Sequence, residues 1–113
     1  MEKRKIIPEL RFPEFYEEWV KKKVGTITDK VGSGSTPLGG SKAYLSEGVI
    51  FIRSQNVNND TLSLDEVVFI SEETNDKMSG SKVIAEDILL NITGASIGRS
   101  CVVPKTFQTG NVR

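Results

Sequence analysis

Three short stretches of this sequence hold the side chains that could do chemistry. Arg53-Ser54-Gln55-Asn56 directly follows the apolar run Val49-Ile50-Phe51-Ile52. An arginine suits the O6/N7 pair of guanine, and Gln and Asn suit the N6/N7 edge of adenine, each through two parallel hydrogen bonds. At the mouth of a strand these side chains make a reading head for base edges; the alternative is a turn in which Asn56 bonds its own backbone. Gly32-Ser33-Gly34-Ser35-Thr36-Pro37 offers free amides, the hydroxyls of Ser33, Ser35 and Thr36, and permissive φ angles, with Lys42 a few residues on. Those are the ingredients of an anion-binding nest, or of an ordinary loop. The stretch is not a P-loop, because no Gly-Lys-[Ser/Thr] follows in place, and Pro37 stands where a dinucleotide fingerprint needs its third glycine. Leu89-Leu90-Asn91-Ile92-Thr93-Gly94-Ala95-Ser96-Ile97-Gly98-Arg99 opens a strand into a small-residue turn. There Ser96 and Arg99 could hold a phosphate, or the same residues could simply close a hairpin.

Other chemistries are excluded by what is missing. The 113 residues include no histidine and one cysteine, so Ser-His and Cys-His nucleophilic pairs, disulfides within the chain and multi-cysteine metal sites are ruled out. Asn91 is not followed by the Pro-Pro-aromatic triplet of an amino-methylating site. Cys101, flanked by strand residues, reads as an inert buried thiol. No enzyme activity, metal or cofactor is expected of this chain. No apolar run approaches the ~18 residues that span a bilayer, and no apolar signal core follows the charged N-terminus. A cytoplasmic protein is expected.

Fifteen basic side chains balance fifteen acidic ones, yet the charge is uneven along the chain. Residues 59–90 sum to −6, whereas residues 31–58 and 91–113, which carry the three stretches above, sum to +1 and +3. Salt screens charges beyond about 8 Å, so a mildly basic face can meet a polyanion while the acidic middle looks elsewhere. A pI near 6.3 is far below the value above about 9 usual in nucleic-acid binders, so weak affinity for the isolated chain is expected.

The elements that must position these residues are short. Residues 1–12, charged and with Pro8 and then Pro13 nearby, read as an extended arm from which Leu10 and Phe12 could still reach a core; residues 13–113 read as the folded part. Val24, Ile27, Thr28 and Val31 fit a helix of about two turns ending before Gly32. Val49–Ile52, Val67–Ile70, Val83-Ile84, Ile88–Thr93 and Cys101–Val103 read as strands, with a turn at Ala85-Glu86-Asp87. Ser71 caps a second helix to about Met78, with Glu72 and Glu73 at its positive end. The fold class expected is α+β: a small mixed, mostly antiparallel twisted sheet with two short helices.

The order of these motifs resembles a known family. Pro8-Glu9-Leu10-Arg11-Phe12-Pro13-Glu14-Phe15, Glu18-Trp19, the Gly32–Pro37 loop, Phe51-Ile52-Arg53-Ser54-Gln55-Asn56-Val57 and Leu89–Arg99 look like the N-terminal target recognition domain of a type I restriction–modification specificity subunit. The resemblance implies a non-catalytic module that reads a few base pairs of double-stranded DNA in defence against foreign DNA. Partner modification subunits would then methylate adenine from S-adenosylmethionine, and a restriction subunit would cleave. Members of the family are several times longer and carry helical spacers, so the resemblance implies a partial, truncated recognition domain. Its open sheet edge would then favour self-association. The DNA-binding residues expected are Ser33, Ser35, Thr36, Lys42, Arg53, Gln55, Asn56, Ser96 and Arg99. A rival expectation is a protein-interaction fragment, a decoy or complementing half that binds specificity or modification subunits without reading DNA.

Overall fold

A computed structural model describes residues 6–113, which divide into two compact units, 6–31 and 32–113. In the first unit nearly every side chain is exposed, Leu10 and Phe12 among them, so neither enters a core. The two-turn helix expected there is a single turn, α1 (Val24–Ile27), with no side-chain cap and no buried residue. Thr28 leaves the helix at once, at φ −126° and ψ 152°, while its hydroxyl donates back to the Val24 carbonyl at 2.8 Å. One turn without a buried face cannot offset the cost of helix nucleation, so the periodicity is not extended.

The second unit is α+β. Strands β1 (Val49–Ile52), β2 (Val68–Ile70), β3 (Lys82–Ile84) and β6 (Thr109–Val112) form one sheet in the order β2-β1-β6-β3. The β1–β6 pair is parallel, and the β1–β2 and β3–β6 pairs are antiparallel. Strands β4 (Ile88–Leu90) and β5 (Ser100–Val102) pair antiparallel in a second, two-stranded sheet. The helix α2 (Glu72–Lys77) starts as expected: the Ser71 hydroxyl accepts from the Thr74 amide at 3.1 Å, with Glu72 and Glu73 in the first turn. No helix among the described residues is long and apolar enough to cross a membrane.

Alternation along β1 explains its unbroken apolar run. Ile52 belongs to a core with Val57, Val83, Cys101, Val103 and Phe107, against which Ile50, Leu89 and Val112 pack. This core lies between one face of the larger sheet and the inner face of β4–β5. Phe51 and Ile70 are buried on the opposite face, where the Phe51 ring meets Tyr44 edge-on, with centroids 5.6 Å apart. A strand covered on both sides has no polar face to show.

β6 lies inside the sheet although Thr109-Gly110-Asn111-Val112 is a poor strand by composition. Gly110 is required by close approach: a Cβ there would stand 2.8 Å from both the Ile50 carbonyl oxygen and the Phe107 ring. Asn111 is 0% exposed and shares the Phe51 face. Its amide nitrogen donates to Asn75 Oδ1 and to the Met78 carbonyl, both at 2.9 Å, and its oxygen accepts from Ser81 Oγ and the Val112 amide. A hydroxyl has one hydrogen; with Ser81 spending its own on Asn111, Ser35 is the donor in the 2.8 Å contact between the two serines. A chain of polar groups thus runs from α2 through β6 to the Gly-Ser segment.

Two outcomes follow from this packing. Asn111→Leu is close in size but removes the partner of Asn75 Oδ1 and one of the partners of Ser81 Oγ and of the Met78 carbonyl, which still bond each other. It should lower the unfolding free energy by about 1–3 kcal/mol, read from urea denaturation, and an unchanged midpoint would contradict the network. Burial pushes the Cys101 thiol above its ordinary pKa, so little nucleophilic thiolate forms at pH 8. A disulfide reagent should label Cys101 slowly in the native protein and rapidly in denaturant; equal rates would contradict its burial.

Candidate functional site

Parallel pairing of β1 and β6 places the carboxyl ends of both strands at one end of the sheet. Arg53 leaves β1 there. At the end of β6 the Ser35 amide donates to the Val112 carbonyl at 3.0 Å, and the Arg113 amide donates to Ile52 at 3.0 Å. Gly34 lies flush against this point: a Cβ on it would overlap the backbone of Arg113 and crowd the Val112 oxygen, so the segment needs glycine. Ser33, Ser35 and Thr36, with Lys77 and Ser81, line an open cleft of about 570 Å³. Of the three expected hydroxyls, that of Ser35 is engaged by Ser81, while Ser33 and Thr36 are exposed.

Ser54–Asn56 forms one 3₁₀ turn after β1. Within it Asn56 is 2% exposed, and its amide is consumed by the protein. Its oxygen accepts from the Arg53 amide at 2.9 Å, and its nitrogen donates to the Ser63 and Glu66 carbonyls at 3.0 and 3.1 Å. The base contact expected of Asn56 is therefore corrected: the side chain braces the turn and is not offered outward. Gln55, at the middle of the turn, is exposed. Arg53 is half-buried, with its guanidinium carbon 5.6 Å from the Tyr44 ring centroid and Nη2 donating to the Glu66 carbonyl at 3.4 Å. Its Nε is buried without a hydrogen-bond partner.

The Leu89–Arg99 stretch is drawn to the Arg53–Asn56 turn by Asn91, a residue whose role the sequence reading missed. Its amide nitrogen donates to the Ser54 carbonyl and to Ser96 Oγ, both at 3.0 Å. Its backbone closes the loop, the Asn91 amide donating to Arg99 and the Gly98 amide to Asn91, at 2.9 and 2.8 Å. The signal available was an asparagine after two leucines, at the point where the strand period stops. Ser96 is thus a loop brace, whereas the Arg99 side chain is exposed. Lys42 lies in the 3₁₀ turn Gly40–Ala43 next to Tyr44 and is exposed.

Ion pairing engages a minority of the cations among the described residues, where Arg113 and the cations of residues 6–31 are unpaired as well. The ion pairs among the described residues are Lys77–Glu73, Lys82–Asp76 and Lys105–Glu86. All three are solvent-exposed and contribute little to stability. Lys42, Arg53 and Arg99 are in none of them, so these charges are not neutralised by a carboxylate among the described residues. No cluster of three His, Cys, Asp or Glu side chains suited to a metal occurs among the described residues. No protein-family model matches this chain, and no curated protein matches it either.

The Asn91 clamp can be tested without a ligand. Asn91→Asp replaces a donor with a charged acceptor facing the Ser54 carbonyl, and should destabilise by about 1–3 kcal/mol. Amide hydrogen exchange at Gly98 should quicken; an unchanged rate would show that the clamp does not hold the loop.

Proposed function

We propose that residues 32–113 form a reading module for double-stranded DNA, of the kind carried by type I specificity subunits. Arg53 and Gln55 meet base edges, and Ser33, Thr36, Lys42 and Arg99 meet phosphates, with Ser35 positioning the Gly-Ser segment. The observation that carries this reading is the Asn91 clamp. It draws the Arg53–Asn56 turn and the Ser96–Arg99 loop together, so that Arg53 and Arg99, neither of them in an ion pair among the described residues, stand on adjoining loops. Phosphate contacts position a protein on a duplex and base contacts specify the sequence, and the two sets of residues divide along that line. In this reading the chain works in the cytoplasm and is not itself an enzyme. Methyl transfer and cleavage belong to partner modification and restriction subunits, and S-adenosylmethionine to the former.

A second reading, an interaction fragment that binds other subunits without reading DNA, has one observation in its favour. Ile88, Leu90 and Val102 present an exposed apolar face on the outer side of β4–β5.

Selection from random duplexes at low salt separates the two. A DNA reader enriches a motif of a few base pairs, and its affinity falls steeply between about 50 and 200 mM salt as counterions are released. Arg53→Ala should weaken binding to the enriched duplex by about 1–3 kcal/mol and relax one position. Equal loss on enriched and random duplexes would remove the base-reading role of Arg53. No enriched motif, together with salt-insensitive association with subunits, would favour the interaction fragment.

A further inference from the structure

We infer that Tyr44 is a positioning residue that sets Arg53 to read guanine, an inference that rests on the DNA-reading function proposed above. Arg53 can offer a base only part of its guanidinium. Its Nε is buried without a partner, so an incoming base cannot reach the Nε edge of the guanidinium. The edge left for a base is the one between the two Nη atoms, where Nη2 donates one of its two hydrogens to the Glu66 carbonyl and keeps the other. A planar fork with two parallel donors matches the paired acceptors O6 and N7 of guanine; adenine presents a donor at the corresponding N6.

A fork reads a base only if its plane is held, and Arg53 has few direct restraints. Its hydrogen bond to the Glu66 carbonyl is long, at 3.4 Å, and no carboxylate among the described residues pairs with it. Tyr44 supplies the missing restraint, since its ring lies 5.6 Å from the guanidinium carbon. The ring is itself fixed, meeting the fully buried Phe51 edge-on at 89°. The order of support runs from the core, through Phe51 and Tyr44, to Arg53. A cation over a ring face is attracted by the ring quadrupole, and phenylalanine supplies that face as well as tyrosine does.

The test uses the whole chain and a random-duplex pool, with Tyr44→Leu and Tyr44→Phe compared at equal thermal stability. Wild type should enrich guanine at one position, and 7-deazaguanine there should weaken binding as Arg53→Ala does. Tyr44→Leu should lower the preference for that guanine about 2- to 30-fold with affinity for random duplexes unchanged, and Tyr44→Phe should restore it. An NMR measurement needs no DNA: the Arg53 Nε–H resonance should carry a ring-current shift that Tyr44→Leu removes and Tyr44→Phe keeps. A motif that Tyr44→Leu leaves intact, or an Arg53-dependent position that is not guanine, overturns this inference while DNA reading stands. Absence of any enriched motif overturns both, and absence of the ring-current shift overturns the positioning on its own.

Discussion

The fully buried amide of Asn111 is the constraint on which the larger sheet depends. An unpaired amide in an apolar interior is costly, so each of its polar atoms must find a partner, and the chain around it is arranged to supply them. Helix α2 brings Asn75, the turn after it brings the Met78 carbonyl and Ser81, and Ser81 in turn holds Ser35. Hydrophobic burial is non-directional and would tolerate α2 at several places over the Phe51 face. The amide network is directional, and it selects one. It also explains how a Gly-Ser segment with almost no apolar side chain is attached to a sheet at all.

The same device recurs on a smaller scale at the loops. Asn56 closes the turn after β1, and Asn91 joins that turn to the loop after β4. Neither loop has an apolar core of its own, and each is held by an asparagine that gives both donors to the protein. An inward-facing amide leaves neighbouring side chains free to face outward, as Gln55 and Arg99 do.

Two surface features of residues 32–113 suggest different partners. The cations Lys42, Arg53 and Arg99 suit a polyanion, and the guanidinium of Arg53 lies over the Tyr44 ring, 5.6 Å from its centroid. The outer face of β4–β5 is apolar on alternate residues, because Leu89 and Cys101 point to the core while Ile88, Leu90 and Val102 point away from it. A reader that acts within a larger complex would use both surfaces at once, one for the duplex and one for a subunit.

Much of the fold is visible in local pattern, because local pattern reports burial. Val49–Ile52 and Val68–Ile70 are strands as their β-branched runs require, Ser71 caps α2, and the chain turns at Ala85–Asp87. The placing of Arg53, Gln55 and Asn56 at a strand's mouth was equally legible, since a polar cluster after an apolar run ends the strand. The direction each side chain takes was not. Asn56 and Asn91 turn inward because carbonyls of Ser63, Glu66 and Ser54 arrive there from elsewhere in the chain, and no spacing rule contains them. Thr109–Val112 becomes a central strand for a similar reason: partners on both sides supply the hydrogen bonds and the close packing that Gly110 permits. What the chain decides by itself is where apolar runs start and stop. Which polar group is buried, and which is left facing solvent, is decided by contacts between residues far apart in sequence, because a hydrogen bond needs its partner in place before it can choose a direction.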